Sequence, residues 1–228
     1  MDEIIITNWL IAIGTIALAI LAIFQDKIRS WLMRPKLDFS IVIAPPDCHK
    51  TTLASVTQDG RVTGKADCYY FRIRVKNSGN QRAELVEVFA AELLKQQADG
   101  SFKKKESFLP MNLLWAHINR PFFDAISPGM EKHCDLGHVI EPAKRAMFGG
   151  EDNPQLDIPA DKTIFSFDLE VKPNTMSHLI PQGKYLLALQ IAAANTEPVK
   201  KTLEITLTGN WYDDEARMFS DGIGIRML

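Results

Sequence analysis

The side chains best suited to chemistry are His133, Cys134 and His138, with the adjacent pair Cys48 and His49 earlier in the chain. Imidazole and thiolate are the ligands zinc prefers, so a shared metal centre is the first chemistry these residue types suggest. Their spacing fits no standard finger or ribbon, and neighbours such as His133 and Cys134 on an extended chain point to opposite faces. The sequence therefore leads us to expect a buried cysteine and surface histidines, with no metal or other cofactor. Asp213, Asp214 and Glu215 suggest acid catalysis or divalent-ion binding, yet three successive carboxylates after a strand read better as a solvated helix start, where acids complement the dipole. The sequence holds no P-loop, no Gly-x-Ser-x-Gly elbow and no His-Glu-x-x-His, and Gly149-Gly150 lacks the strand and helix that a phosphate cradle needs. Non-catalytic binding is the first expectation. A hydrolase or metal-dependent enzyme built from His117, His133, Asp135 and His138 is the alternative, since catalytic groups assemble from distant positions.

Whatever these groups do, residues 4–24 decide where they do it. The run is free of charge over roughly twenty residues, the length that crosses a bilayer core. Asp2 and Glu3 precede it and Phe24-Gln25-Asp26-Lys27 follows, which lacks the basic start and small-residue end of a cleavable signal peptide. We expect an uncleaved single-pass anchor over residues 1–34. Lys27, Arg29, Arg34 and Lys36 lie just past the span, and basic residues resist translocation, so the remainder is expected in the cytoplasm, at a bacterial inner membrane. Trp9 and Trp31 suit the two interfaces. Asn8, Ala12, Thr15, Ala19 and Ala22 recur at alternating spacings of four and three, one stripe on which two such helices could associate. The lipid bilayer is the first partner implied, with a second copy of the chain and an unidentified protein after it. A net charge of −2 without a large basic block points away from nucleic acid; the short run from Lys103 to Lys105 reads as a solvated strand face.

Past Pro35 the apolar period changes from helical to two. Leu37 to Ile43, Tyr69 to Lys76, Phe165 to Val171, Tyr185 to Ile191 and Thr202 to Thr208 all alternate, with turn residues between them. Asp59-Gly60 suits a hairpin turn. Seven to nine such strands predict an all-β, antiparallel, immunoglobulin-like sandwich over residues 35–228, with an irregular insertion at about 109–159 in which Lys132 to Val139 reads as a strand. Ala83 to Gln97 is ambiguous, being helical in composition and strand-like in alternation. Trp211 to Phe219 reads as one or two helical turns.

The run FRIRVKNSGNQRAELVEV, residues 71–88, resembles the Val-x-Asn-x-Gly-x-x-x-Ala-x-x-Val-x-Val pattern of bacterial immunoglobulin-like domains of the CARDB kind. The resemblance implies that Asn77-Ser78-Gly79 joins two strands of a sandwich and that Val86 to Ala90 is a strand. It is silent about function. Domains of that kind are commonly extracellular adhesive or spacer modules, which the basic flank argues against here.

The reading that follows is a membrane-anchored, non-catalytic binding or scaffold protein. Contacts are expected along an exposed strand edge or from the 109–159 loops, where Trp115, Phe122, Phe123 and Phe148 fall outside the alternating runs. The alternative topology places the domain in the periplasm or outside as an adhesive envelope module, and a Cys48 to Cys68 or Cys68 to Cys134 disulfide would support it.

Overall fold

The computed structural model describes residues 2–57, 59–148 and 158–228. Helix α1 (Asp2–Leu32) comes first, as its unbroken Ile, Leu and Ala content predicts. Its stretch Glu3–Gln25 has a mean hydropathy of 2.3 and none of it is buried, so the helix is long and apolar enough to cross a membrane. The hydroxyls of Thr7 and Thr15 donate to the carbonyls of Glu3 and Ile11 one turn back, which satisfies them without water. Asn8, Ala12, Thr15, Ala19 and Ala22 are exposed along the helix, as is Trp9. The side chains of Lys27, Arg29 and Trp31 lie outside the described residues, while Arg34 is described and exposed.

The remainder is antiparallel β-structure in two sheets. The first contains β1 (Leu37–Ser40), β2 (Cys48–Val56), β3 (Val62–Asn77), β8 (Glu131–Ile140), β9 (Phe165–Phe167) and β10 (Leu179–Ile180). Strand β3 is its spine: β1 and β2 pair successively along one side of it and β8 along the other. The second contains β4 (Ala83–Gln96), β11 (Gly183–Ala193), β12 (Thr196–Leu207) and β13 (Ile223–Met227), with β5 (Phe102–Lys104), β6 (Met111–Asn112) and β7 (Phe122–Ile126) lying along β4. Ala83 to Gln96 is thus a strand. Pairing on both sides of β4 outweighs its helix-favouring composition, because tertiary context routinely overrides propensity.

Alternation from each sheet fills the space between them. Tyr69, Phe71, Ile73 and Val75 of β3 face Val86, Val88, Leu93, Leu187, Leu189 and Ile205 of the second sheet, all buried in one cluster. Trp115 sits fully buried among them, its indole N–H donating to the carbonyl of Val86 at 3.1 Å. The segment from β6 to Trp115 passes between the sheets: Asn112 pairs with Phe89, whereas Leu113 and Trp115 bridge to Leu169 and Cys134. On the opposite side Lys201 of β12 reaches over to the first sheet, donating to the Phe39 carbonyl at 2.7 Å and pairing with Asp38.

Several strands differ from the extents their patterns predict. β1 stops at Ser40, before Ile43, because the amide of Val42 turns to the buried carboxylate of Asp47. β9 ends at Phe167, and β13 carries too short an alternation to be recognised beforehand. The expected turns past Trp211 are present as α2 (Glu215–Arg217) and its continuation to Gly222. Asp214 caps α2, accepting from the amide of Arg217 at 2.8 Å.

The passage from helix to sandwich is tied down rather than loose. Asn80 Oδ1 accepts from the Arg34 amide at 3.0 Å and the Arg34 carbonyl accepts from the Asn80 amide at 3.3 Å. Asn77 Oδ1 accepts from the Lys36 amide at 3.1 Å, and the Lys36 carbonyl accepts from Ser78 at 2.8 Å. Any Cβ at Gly79 would run into the Arg34 carbonyl and the Lys36 amide, so the Asn-x-Gly turn leaves room for this close approach.

Candidate functional site

His133 and His138 and their carboxylate partners gather on the outer face of the first sheet, and two strands put the histidines there. Alternation along β3 turns Tyr70, Arg72 and Arg74 away from the core. β8 brings His138, Asp135 and His133 directly opposite them, in that order. Strict alternation would send His138 inward, since it lies an odd number of positions from Asp135. A bulge where Phe71 faces Gly137 and Arg72 faces Asp135 inserts one extra residue, Leu136, and returns His138 to the outer face. Gly137 permits it: a Cβ there would overlap the Ser166 carbonyl and the Phe165 ring of β9.

Two acidic centres organise this face. Asp47 is fully buried; its Oδ1 accepts from Arg74 Nε and Nη2 at 3.1 and 2.8 Å and lies 3.0 Å from His133 Nε2, while its Oδ2 accepts from the Val42 amide at 3.0 Å. Asp168 Oδ1 lies 3.0 Å from His138 Nδ1, and the His138 ring packs on Tyr70 with centroids 5.2 Å apart. Between these centres Arg72 Nε donates to Asp135 at 3.1 Å. Burial pushes the Asp135 carboxyl up to about 6, with the nearby Asp168 charge adding to it and Arg72 and His117 opposing it. Asp135 can therefore exchange a proton near pH 6. The second carboxylate oxygen of Asp168 is buried and has no hydrogen-bond partner among the described residues.

The structure separates the candidate ligands. Cys134 points into the core with its thiol toward the Leu114 carbonyl at 3.3 Å, and burial raises its pKa well above the usual thiol range. His133 and His138 are held by different carboxylates, Asp47 and Asp168. No group of three His, Cys, Asp or Glu side chains that could hold a metal ion occurs among the described residues. Cys48 is also buried in the main core, its thiol pushed up to about 12, whereas Cys68 faces the opposite side of the sheet in a small cluster with Ala66 and Ile140. None of the three cysteines is in a disulfide. His49 stands opposite Tyr70, and burial, with Arg72, holds its pKa below the usual histidine value.

Other candidates find structural partners. Glu215 accepts from the Lys50 amide at 2.7 Å, and Asp213 accepts from the Trp211 indole at 3.0 Å. Trp115 is core, and Phe123 and Phe148 pack against the two apolar clusters, so these three are not free contact residues; Phe122 is half-buried. In the lysine run, Lys103 and Lys104 are exposed as expected but Lys105 is not solvated: it turns in toward the carbonyls of Ser177 and Leu179 at 3.4 and 3.3 Å. Burial, then the Lys95 charge, lowers its pKa to about 8.

Sequence reasoning missed Asp47, Asp168 and the pairing roles of Arg72 and Arg74. The arginines were visible as the polar side of β3, but their acids come from loops and a distant strand. Compared with known protein families the chain matches no family model, and no curated protein sequence matches it.

Proposed function

We propose that this chain is a single-pass protein of a bacterial inner membrane that holds a non-catalytic binding or scaffold domain on the cytoplasmic side. The observation that carries the reading is the junction: a helix whose apolar stretch Glu3–Gln25 is unburied is joined to the sandwich through hydrogen-bonded backbone at Arg34 and Lys36. Such a joint holds a domain at a defined attitude to the bilayer, which suits presentation of a surface to a partner. The pairing of Arg72 with Asp135, of Arg74 and His133 with Asp47, and of His138 with Asp168 supports a binding role, because groups occupied by one another stabilise a face rather than act on a substrate. An immunoglobulin-like, CARDB-like assignment is supported by the Asn77-Ser78-Gly79 turn, which carries the chain from β3 in one sheet to β4 in the other. The small-residue stripe of α1 adds self-association to the reading.

A C-terminal fusion to a reporter active only in the cytoplasm, compared with one active only outside it, tests the topology. Cytoplasmic activity is expected, followed by recovery of a protein partner on crosslinking in intact cells; exterior activity would replace this reading with the envelope module. The raised pKa of Asp135 beside Asp168 favours a second reading, a hydrolase using Asp135 as general acid. Hydrolysis of ester or amide substrates by the full chain, lost in Asp135→Asn, would establish it.

A further inference from the structure

Beside the junction lies an open groove of about 810 Å³. Arg34 and Lys36 line it on the helix side, Ser78 contributes from the turn after β3, Asn195 comes from the β11–β12 turn, and Thr196 and Glu197 come from the start of β12. Its walls are held from both sides, since the Arg34 and Lys36 backbones are bound to Asn80, Asn77 and Ser78 and the Thr196 hydroxyl donates to the Pro35 carbonyl at 3.2 Å. Asn195 is fixed in turn, accepting from the Glu84 amide and donating to the Arg82 carbonyl.

Two other basic groups at this end of the sandwich are neutralised, whereas Lys76 and Arg82 lie nearby with no ion pair among the described residues and do not line the groove. Lys201 pairs with Asp38, and Arg74 pairs with Asp47 and Glu131. The Arg34 and Lys36 side chains have no ion-pair partner among the described residues, and Glu197 is the one carboxylate in the lining. The groove thus presents two cations against one anion on a preformed frame.

Its place along the chain says what the cations meet. From the end of the apolar stretch at Gln25 to Leu32 the helix adds roughly 10 Å of rise, while the head-group zone of one leaflet is roughly 5–8 Å deep. Long basic side chains extend back toward the interface across the small remainder. We propose that the groove holds the head group of an anionic phospholipid, with Arg34 and Lys36 taking its phosphate. This rests on the membrane-anchored reading above and adds a lipid ligand that fixes the domain on the bilayer.

The test titrates the full chain, in neutral detergent, with short-chain phosphatidylglycerol and separately with short-chain phosphatidylcholine, following the Asn195 and Thr196 amide resonances. Saturable binding is expected to favour phosphatidylglycerol, with about fivefold lost for each cation removed in Arg34→Gln and Lys36→Gln. The junction bonds use backbone atoms of these residues, so the variants keep the frame. Equal affinity for the two lipids, or a preference that survives the double variant, overturns the proposal. Inorganic phosphate binding as tightly as phosphatidylglycerol does so too, by making this a soluble-anion site. Alkaline extraction of membranes separates the two readings: a chain that stays with the membrane yet shows no lipid preference loses only the head-group site, and a chain released by alkali loses both.

Discussion

Two half-buried ionisable groups leave opposite signatures in the pH dependence of stability. The Asp135 carboxyl titrates near 6 in the fold, above the ordinary value of about 4, so its neutral form is favoured by folding. Its contribution is fully present below pH 4 and is lost as pH rises through 6, on the order of 2–3 kcal/mol. Asp135→Asn, which cannot ionise, should flatten the fall in urea midpoint between pH 4 and 7 relative to the parent; an unchanged difference curve would place the titration elsewhere. Lys105 titrates near 8, below its ordinary value, so folding again favours the neutral form, and stability present above pH 10 is lost as pH falls through 8. Lys105→Met should raise stability at pH 7 by on the order of 2 kcal/mol and bring little gain at pH 10.5, as thermal unfolding at the two pH values will show.

At the scale of elements, the bulge in β8 governs the outer face, and Gly137 governs the bulge. Gly137→Ala forces a methyl against the Ser166 carbonyl and the Phe165 ring, so β8 and β9 must separate or the bulge must shift. We expect a loss of about 2–4 kcal/mol in denaturant unfolding, with faster amide exchange along Phe165–Phe167 than in the rest of the first sheet. The same bulge marks where the sequence stops being legible. β3, β11 and β12 could be read directly because each has one buried and one wetter face, which writes a period of two into the residue types. Cys134 could likewise be assigned inward and His133 outward from adjacency alone. His138 could not be placed, because a bulge breaks the parity on which such reasoning depends, and Gly137 is compatible with many other backbone shapes. Asp47 was invisible for a different reason: its partners Arg74 and His133 lie on β3 and β8, and only the sheet pairing brings them to it.

For the whole molecule, the residues that join helix to sandwich, on either side of Pro35, are themselves hydrogen-bonded into the sandwich. Asn77 is buried and uses all of its amide: Oδ1 accepts from Lys36 and Gly79, and Nδ2 donates to the carbonyls of Gln81 and Ile126. The residue that turns the chain from one sheet to the other therefore also fastens the segment arriving from the helix, so a force on the helix reaches the seam between the sheets. A chain beginning at Met33 retains the four bonds with a backbone amide donor that Arg34 and Lys36 make with Asn77, Ser78 and Asn80, whereas one beginning at Leu37 lacks them all. At roughly 0.5–1.5 kcal/mol each, their loss should cost about 2–6 kcal/mol. Urea unfolding of the two truncated chains measures the difference directly, and Asn77→Ala in the longer one should be at least as destabilising as the shorter start. Equal stability of the two truncations would mean that the sandwich ends at Leu37 and that the helix is attached to it by an independent linker.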